Sequence, residues 1–313
     1  MRSRTRARLT AVVAVLVLLA TACWKPSVDP IYSVTVMSNV VYGQGEVDGG
    51  GTFDDLLLDL YVPNVPGQDR FPLVVTIHGG GFNGGSKANT AFVAHQFAQR
   101  GYIAASINYR LSGDDPVPSS RVQTLYDEAG GAAAPAQVRA AIAAMDDTMT
   151  ALDFLHARPE VEPWQTVLWG NSAGAVTALY VGYAMDDFGI ERPLVSAVIS
   201  NSGGFAGQNG SAAMFIEGNY GVINEPPYFY SEGPVFMTHA TGDPTVDFQL
   251  AQDIADRADA VGHPYELFTV DAVSHGLPDG LFQTEYSPGV NVFQAQVNWL
   301  DSFLVGVAET PPG

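Results

Sequence analysis

Val167-Leu168-Trp169-Gly170-Asn171-Ser172-Ala173-Gly174-Ala175-Val176-Thr177-Ala178-Leu179 runs from an apolar stretch, through a serine flanked by two glycines, into a second apolar stretch rich in alanine. The first stretch reads as a buried strand and the second as a helix. Gly-x-Ser-x-Gly between them is a turn too sharp for side chains at its glycines, and it holds the serine oxygen in the open. Five such residues recur by chance, so the reading depends on what surrounds them. A second buried strand, Leu73-Val74-Val75-Thr76-Ile77, runs into another glycine loop, His78-Gly79-Gly80-Gly81-Phe82. Two strand-to-loop motifs in this order outweigh coincidence.

The rest of the chain extends the alternation. Strands are expected over residues 32–36 and 56–62, separated by the turn residues Gly49-Gly50-Gly51. After the strand at 73–77 come a helix near 90–100, a strand over 103–108 and a helix over about 135–156. The elbow strand 166–169 with its helix follows, then strands at 195–200 and 235–239. A helix at 249–261, a strand at 266–270 and a last helix at 292–305 complete the order. This pattern predicts an α/β fold, with a mostly parallel, doubly wound central sheet and helices on both faces. Two insertions interrupt it. Residues 112–134 carry Pro116 and Pro118 and read as a loop. Residues 203–233 hold Phe205, Met214, Phe215, Tyr220, Tyr228, Phe229 and Tyr230. They read as a short cap over a ligand pocket, or as aromatics anchoring a long loop.

Composition narrows the function. The 313 residues, 47% of them hydrophobic, suffice for one large core. A formal charge of −19 leaves no basic face to neutralise phosphates, which excludes nucleic acid as a partner. Gly79-Gly80-Gly81 lacks the lysine and spacing of a phosphate loop. Asp146 and Asp147 are adjacent on a helix, point in different directions and have no His/Cys cluster beside them, so no metal is expected. No cofactor is expected either.

Together, the elbow at Gly170–Gly174 and the loop His78–Phe82 with Gly85-Ser86 resemble the α/β-hydrolases of the carboxylesterase and hormone-sensitive-lipase-like group. The resemblance runs from about Leu56 to Leu304. It implies a serine hydrolase that cleaves small-molecule carboxylic esters through an acyl-enzyme. Ser172 would be the nucleophile, and a serine hydroxyl needs a neighbouring base to take its proton. In such esterases the base sits on a loop after a late strand, which points to His275 in Ala272-Val273-Ser274-His275-Gly276. The acid falls between the two, in Thr241-Gly242-Asp243-Pro244-Thr245-Val246, with Asp243 favoured and Asp247 as competitor. The amides of Ala173, Gly80 and Gly81 would form the oxyanion hole, while His78 shapes its loop. His239 is expected to orient the acid loop, and His95, His156 and His263 to be ordinary surface or core residues. Arg110 is expected to pair with Asp146, Asp147 or Asp153. An amidase, a peptidase or an acyltransferase could use the same groups. A catalytically silent fold acting as a binding module is the alternative from another class.

The first 22 residues stand apart. Arg2, Arg4, Arg6 and Arg8 precede an apolar run from Leu9 to Leu19 that ends in Ala20-Thr21-Ala22. This is the layout of an export signal, short for a membrane span. Cys23 is the only cysteine, and Leu19-Ala20-Thr21-Ala22-Cys23 resembles the bacterial lipobox. That implies a signal over 1–22, lipidation at Cys23, a tether over 23–30 and a hydrolase domain over 31–313. Ala20 departs from the usual leucine, so plain secretion stays open beside anchoring at the cell envelope. A single cysteine allows no internal disulfide.

Overall fold

Leu73, Val75 and Ile77 face one side of a sheet and Val74 the other, each fully buried in a different apolar cluster. A strand covered on both faces reads as a continuous apolar run, which is why this one was legible. The computed structural model describes residues 32–205, 215–217 and 232–308. The expected export segment with Cys23, the expected tether and most of the expected cap lie outside those residues. Eight strands form one sheet: β1 (Val34–Val47), β2 (Thr52–Pro63), β3 (Phe71–Ile77), β4 (Ile103–Ile107), β5 (Val161–Asn171), β6 (Ala197–Asn201), β7 (Val235–Ala240) and β8 (Tyr265–Val270). Their order is β1-β2-β4-β3-β5-β6-β7-β8. From β4 to β8 every pairing is parallel, while β1 and β2 are added antiparallel.

Helices cover both faces. On one side Val93 and Phe97 of α1 (Ala91–Ala98) and Phe293, Val297 and Leu300 of α6 (Val292–Ala308) join the cluster around Val74. On the other, α3 (Ala136–His156), α4 (Ala173–Leu179) and α5 (Gln249–Val261) bring Ile142, Met149, Leu152, Leu179 and Ile254 to the cluster around Leu73. Each such side chain contributes about 1.5–3 kcal/mol by leaving water.

Two expectations need correction, and one further element has no sequence signal. The first strand does not stop at residue 36 but continues to Val47, pairing with β2 through two irregularities. As an edge strand it leaves Val36, Met37 and Val41 exposed, so its pattern carries little signal. Residues 112–134 are not a plain loop, because α2 (Gln123–Glu128) lies within them. Its Leu125 and Tyr126 are buried, although the flanking alanines and glycines conceal any period. A short hairpin, β9 (Glu285–Ser287) with β10 (Val290–Asn291), precedes α6 unannounced.

His263, just after α5, is buried against the Tyr183 ring, with the Glu232 carboxylate 3.8 Å from its Nδ1. Burial lowers its pKa to about 4, against the opposing effect of a backbone hydrogen bond at Gly233. The unfolded chain takes up this proton as pH falls through its ordinary value of 6.5, whereas the fold resists until about 4. The stability from a neutral His263 is therefore complete above 6.5 and is lost as pH falls from 6.5 to 4. Urea unfolding at pH 7.5 and pH 5 should differ by about 2 kcal/mol more in the wild type than in His263→Phe. Equal pH slopes for the two proteins would remove this role.

Candidate active site

Ser172 sits where β5 ends and α4 begins, at the carboxyl edge of the parallel strands. Its backbone holds φ 54° and ψ −123°, left-handed for a residue with a side chain. Such strain is of order 1–3 kcal/mol and persists only where the surroundings impose it. Here the Ser172 N–H donates to the Asn201 carbonyl at 2.8 Å, and its own carbonyl accepts from Ala175 and Val176 at 2.8 and 3.0 Å. Gly174 is a glycine for want of space, since a Cβ there would stand 2.1 Å from the Ile77 carbonyl oxygen. The elbow is thereby pressed against the end of β3.

The sheet order brings the other groups to it. Asp243 follows β7 and His275 follows β8, two and three strands along the same edge from β5. His275 Nε2 lies 2.8 Å from Ser172 Oγ. Its Nδ1 lies 2.8 and 3.0 Å from the two Asp243 oxygens. A carboxylate only accepts, so Nδ1 carries the proton and Nε2 is left to accept from the serine hydroxyl. The carboxylate is fully covered, while the His275 side chain is 30% exposed. Burial pushes the Asp243 carboxyl up. The His275 bond and the amides of Thr245 and Val246, both donating to Oδ1, outweigh it and hold the group below its ordinary value. Asp243 is thus a charged acceptor fixed from two sides. His239 Nε2 donates to the Val246 carbonyl at 3.0 Å and stands 3.5 Å from Asp243, bracing the acid loop. Asp247 faces elsewhere and accepts from the Gln249 amide at the start of α5.

The glycine loop after β3 lies beside the elbow. The Gly79 carbonyl accepts from His78 Nδ1 at 2.7 Å, and the Gly80 carbonyl accepts from the amides of Asn83 and Gly84 at 3.0 and 3.2 Å. In a trans peptide the N–H points opposite to the preceding carbonyl. Fixing these two carbonyls therefore turns the Gly80 and Gly81 amides away from His78 and out of the turn. Among the described residues neither amide, nor that of Ala173, has an acceptor. Gly80 adopts φ 116°, and a Cβ on it would lie 2.0 Å from the Gly84 oxygen. His78 stacks on Tyr109 with 4.2 Å between ring centres, and the Tyr109 hydroxyl donates to the His78 carbonyl. Burial lowers the His78 pKa against its bond to Gly79, which keeps the ring neutral and shaping the loop.

Arg110 pairs with Asp147 and Asp146, and the same guanidinium donates to the carbonyls of Glu46 and Val117. It ties the β1 end to the segment after β4, away from the serine. His156 bonds the Thr166 hydroxyl through Nε2. Two further residues touch the machinery without any sequence signal. Gln137 donates to the Gly81 carbonyl at 2.7 Å, and Asn201 holds the Ser172 amide. They lie 56 and 29 residues from what they hold, and neither belongs to a motif.

Comparisons with known proteins find similarity to esterases. The BD-FAE family model matches residues 58–124, from β2 across the glycine loop. A chlorogenic acid esterase of Aspergillus niger is 30% identical over 168 residues, covering 50% of this chain and 28% of that protein. Tuliposide A-converting enzyme 2 of Tulipa gesneriana is 30% identical over 143 residues, 41% of this chain and 31% of its own length. The chain thus spans less than a third of these curated relatives. Among solved structures, esterase Est2 of Thermogutta terrifontis superposes with a TM-score of 0.55 at 21% identity, covering 90% of this chain and 95% of its own. The same esterase phosphorylated by paraoxon gives 0.54 at 21%, covering 91% and 97%.

Proposed function

We propose that this chain, an α/β-hydrolase by fold, is a serine-dependent hydrolase of carboxylic esters. The observation that carries the reading is the relay Ser172–His275–Asp243, with contacts of 2.8 Å at both links, beside three amides that have no acceptor among the described residues. In this reading Ser172 Oγ attacks the ester carbonyl carbon while its proton passes to His275 Nε2. The former carbonyl oxygen, now anionic, is met by the amides of Gly80, Gly81 and Ala173. Each such donor is worth about 3–4 kcal/mol of the barrier. Collapse breaks the bond to the alkoxy oxygen, which leaves with the proton from Nε2. A water then gives its proton to Nε2 and attacks the acyl-enzyme, releasing the acid and restoring Ser172. Asp243 keeps its charge throughout and stabilises the imidazolium.

The relatives support ester chemistry, since the curated matches include a chlorogenic acid esterase and a fumonisin B1 esterase. Est2 with butyrate bound supports small acyl groups as first substrates to try. Export belongs to the same reading, on the arginine-then-apolar segment up to Ala22 and on Cys23 as a lipidation point.

Purified protein treated with a fluorophosphonate probe should take up one label per chain, mapped to the peptide carrying Ser172, and should hydrolyse p-nitrophenyl butyrate until labelled. A protein that neither labels nor hydrolyses would be a silent fold, and the reading would fail.

A further inference from the structure

A buried hydrogen-bonded chain runs behind the elbow and crosses three strands. Trp169 Nε1 of β5 donates to Gln296 Oε1 of α6 at 3.0 Å. Gln296 Nε2 donates to Asn201 Oδ1 of β6 at 2.8 Å, and Thr238 Oγ1 of β7 donates to the same oxygen at 2.8 Å. Asn201 Nδ2 then donates to the Gly170 carbonyl at 3.0 Å. All four side chains are essentially shut off from water, with Gln296 and Thr238 at 0% and 1% exposure.

The chain has a direction that chemistry fixes. An indole N–H can only donate, so Gln296 must turn its oxygen to Trp169 and its amide nitrogen to Asn201. At the far end a backbone carbonyl can only accept, so Asn201 must turn its nitrogen to Gly170. Both ends demand the same orientation of Asn201, and no flipped arrangement satisfies them.

Asn201 holds the elbow twice. Its side chain grips the carbonyl of Gly170, two residues before the nucleophile, and its main-chain carbonyl accepts the N–H of Ser172 itself. Both grips fix the chain as it enters Ser172, whose strained backbone aims Oγ at His275. We propose that Asn201 is a positioning residue for the nucleophile, clamping at two points the strand end that leads into its strained turn. The inference rests on the ester-hydrolase reading and adds a residue that no motif in the sequence marks. Asn201 touches no reacting atom. It acts by keeping the distance from Ser172 Oγ to His275 Nε2 within hydrogen-bond reach, which matters to the chemical step and not to substrate capture.

Asn201→Asp tests this most directly. The aspartate keeps the main-chain bond to Ser172 and the acceptor for Gln296 and Thr238, but sets an oxygen against the Gly170 carbonyl. Its kcat for p-nitrophenyl butyrate should fall about 10- to 100-fold with KM within twofold of wild type. The second-order rate of fluorophosphonate labelling should fall in parallel. Asn201→Ser, which loses the grip without introducing charge, gives a second reading if the aspartate variant does not fold, and the same split is expected. A kcat within threefold of wild type in the folded variants, or a raised KM at unchanged kcat, overturns the proposal. Wild type that neither hydrolyses nor labels rejects the ester-hydrolase reading and this inference with it. An active wild type with unaffected Asn201 variants rejects the inference alone.

Discussion

Replacing Ser172 with alanine lowers kcat about a million-fold and changes the stability of the fold by no more than about 1 kcal/mol. The first half follows from chemistry, since among the described residues Oγ is the only hydroxyl bonded to His275 Nε2. Without it no acyl-enzyme can form. The donors of the glycine loop remain and would still give about 10³–10⁴ over the uncatalysed reaction by orienting water and holding charge. The second half follows from the backbone. Alanine keeps the Cβ, and with it the strain of φ 54° and ψ −123°, so folding loses only one partly exposed hydrogen bond. Glycine removes the Cβ and the strain together. Ser172→Gly should therefore be as inactive as Ser172→Ala yet more stable by roughly 1 kcal/mol in urea unfolding. If the glycine variant is the less stable of the two, the elbow is not held under strain. If the alanine variant hydrolyses p-nitrophenyl butyrate at a tenth of the wild-type rate, another group attacks the ester.

What could be read from the sequence follows the burial of each segment. The strands at 73–77 and 166–169 are covered on both faces, so physics leaves them little but Val, Leu, Ile, Thr and Trp, and their runs stand out. Both glycine loops were legible for a related reason, because close backbone approach tolerates no Cβ and writes itself as glycine. The edge strand β1 has no such constraint on its open side, where Val36, Met37 and Val41 are exposed, and its pattern marks no end. Asp243 and Asp247 follow the same strand four residues apart, and the resemblance to an esterase acid loop favours Asp243 while leaving Asp247 as a competitor. The path of the loop decides between them, turning Asp243 to His275 and leaving Asp247 to cap α5. Asn201, Gln137 and Gln296 were wholly invisible. A polar residue at a strand end or on a helix looks like solvent-facing chain until the fold brings its distant partner to it.

The Asp243 loop also dictates what a one-atom change would do. In Asp243→Asn the side chain has a single acceptor oxygen. The amides of Thr245 and Val246, at 2.8 and 3.1 Å, both donate to Oδ1 and claim that oxygen. The new NH₂ must then occupy the position of Oδ2, 2.8 Å from His275 Nδ1. A donor there forces Nδ1 to accept, which moves the ring proton to Nε2. Nε2–H faces Ser172 Oγ and can no longer take its proton. Asparagine therefore preserves the geometry while installing the wrong tautomer, and kcat should drop about 10⁴-fold with little change in KM. Fluorophosphonate labelling should slow by a similar factor. Asp247→Asn serves as the control, because asparagine caps a helix as well as aspartate does and the rate should stay within twofold. Retention of more than a tenth of the activity in Asp243→Asn would mean that His275 reaches its working tautomer without this carboxylate. A large loss in Asp247→Asn instead would move the acid four residues along the chain.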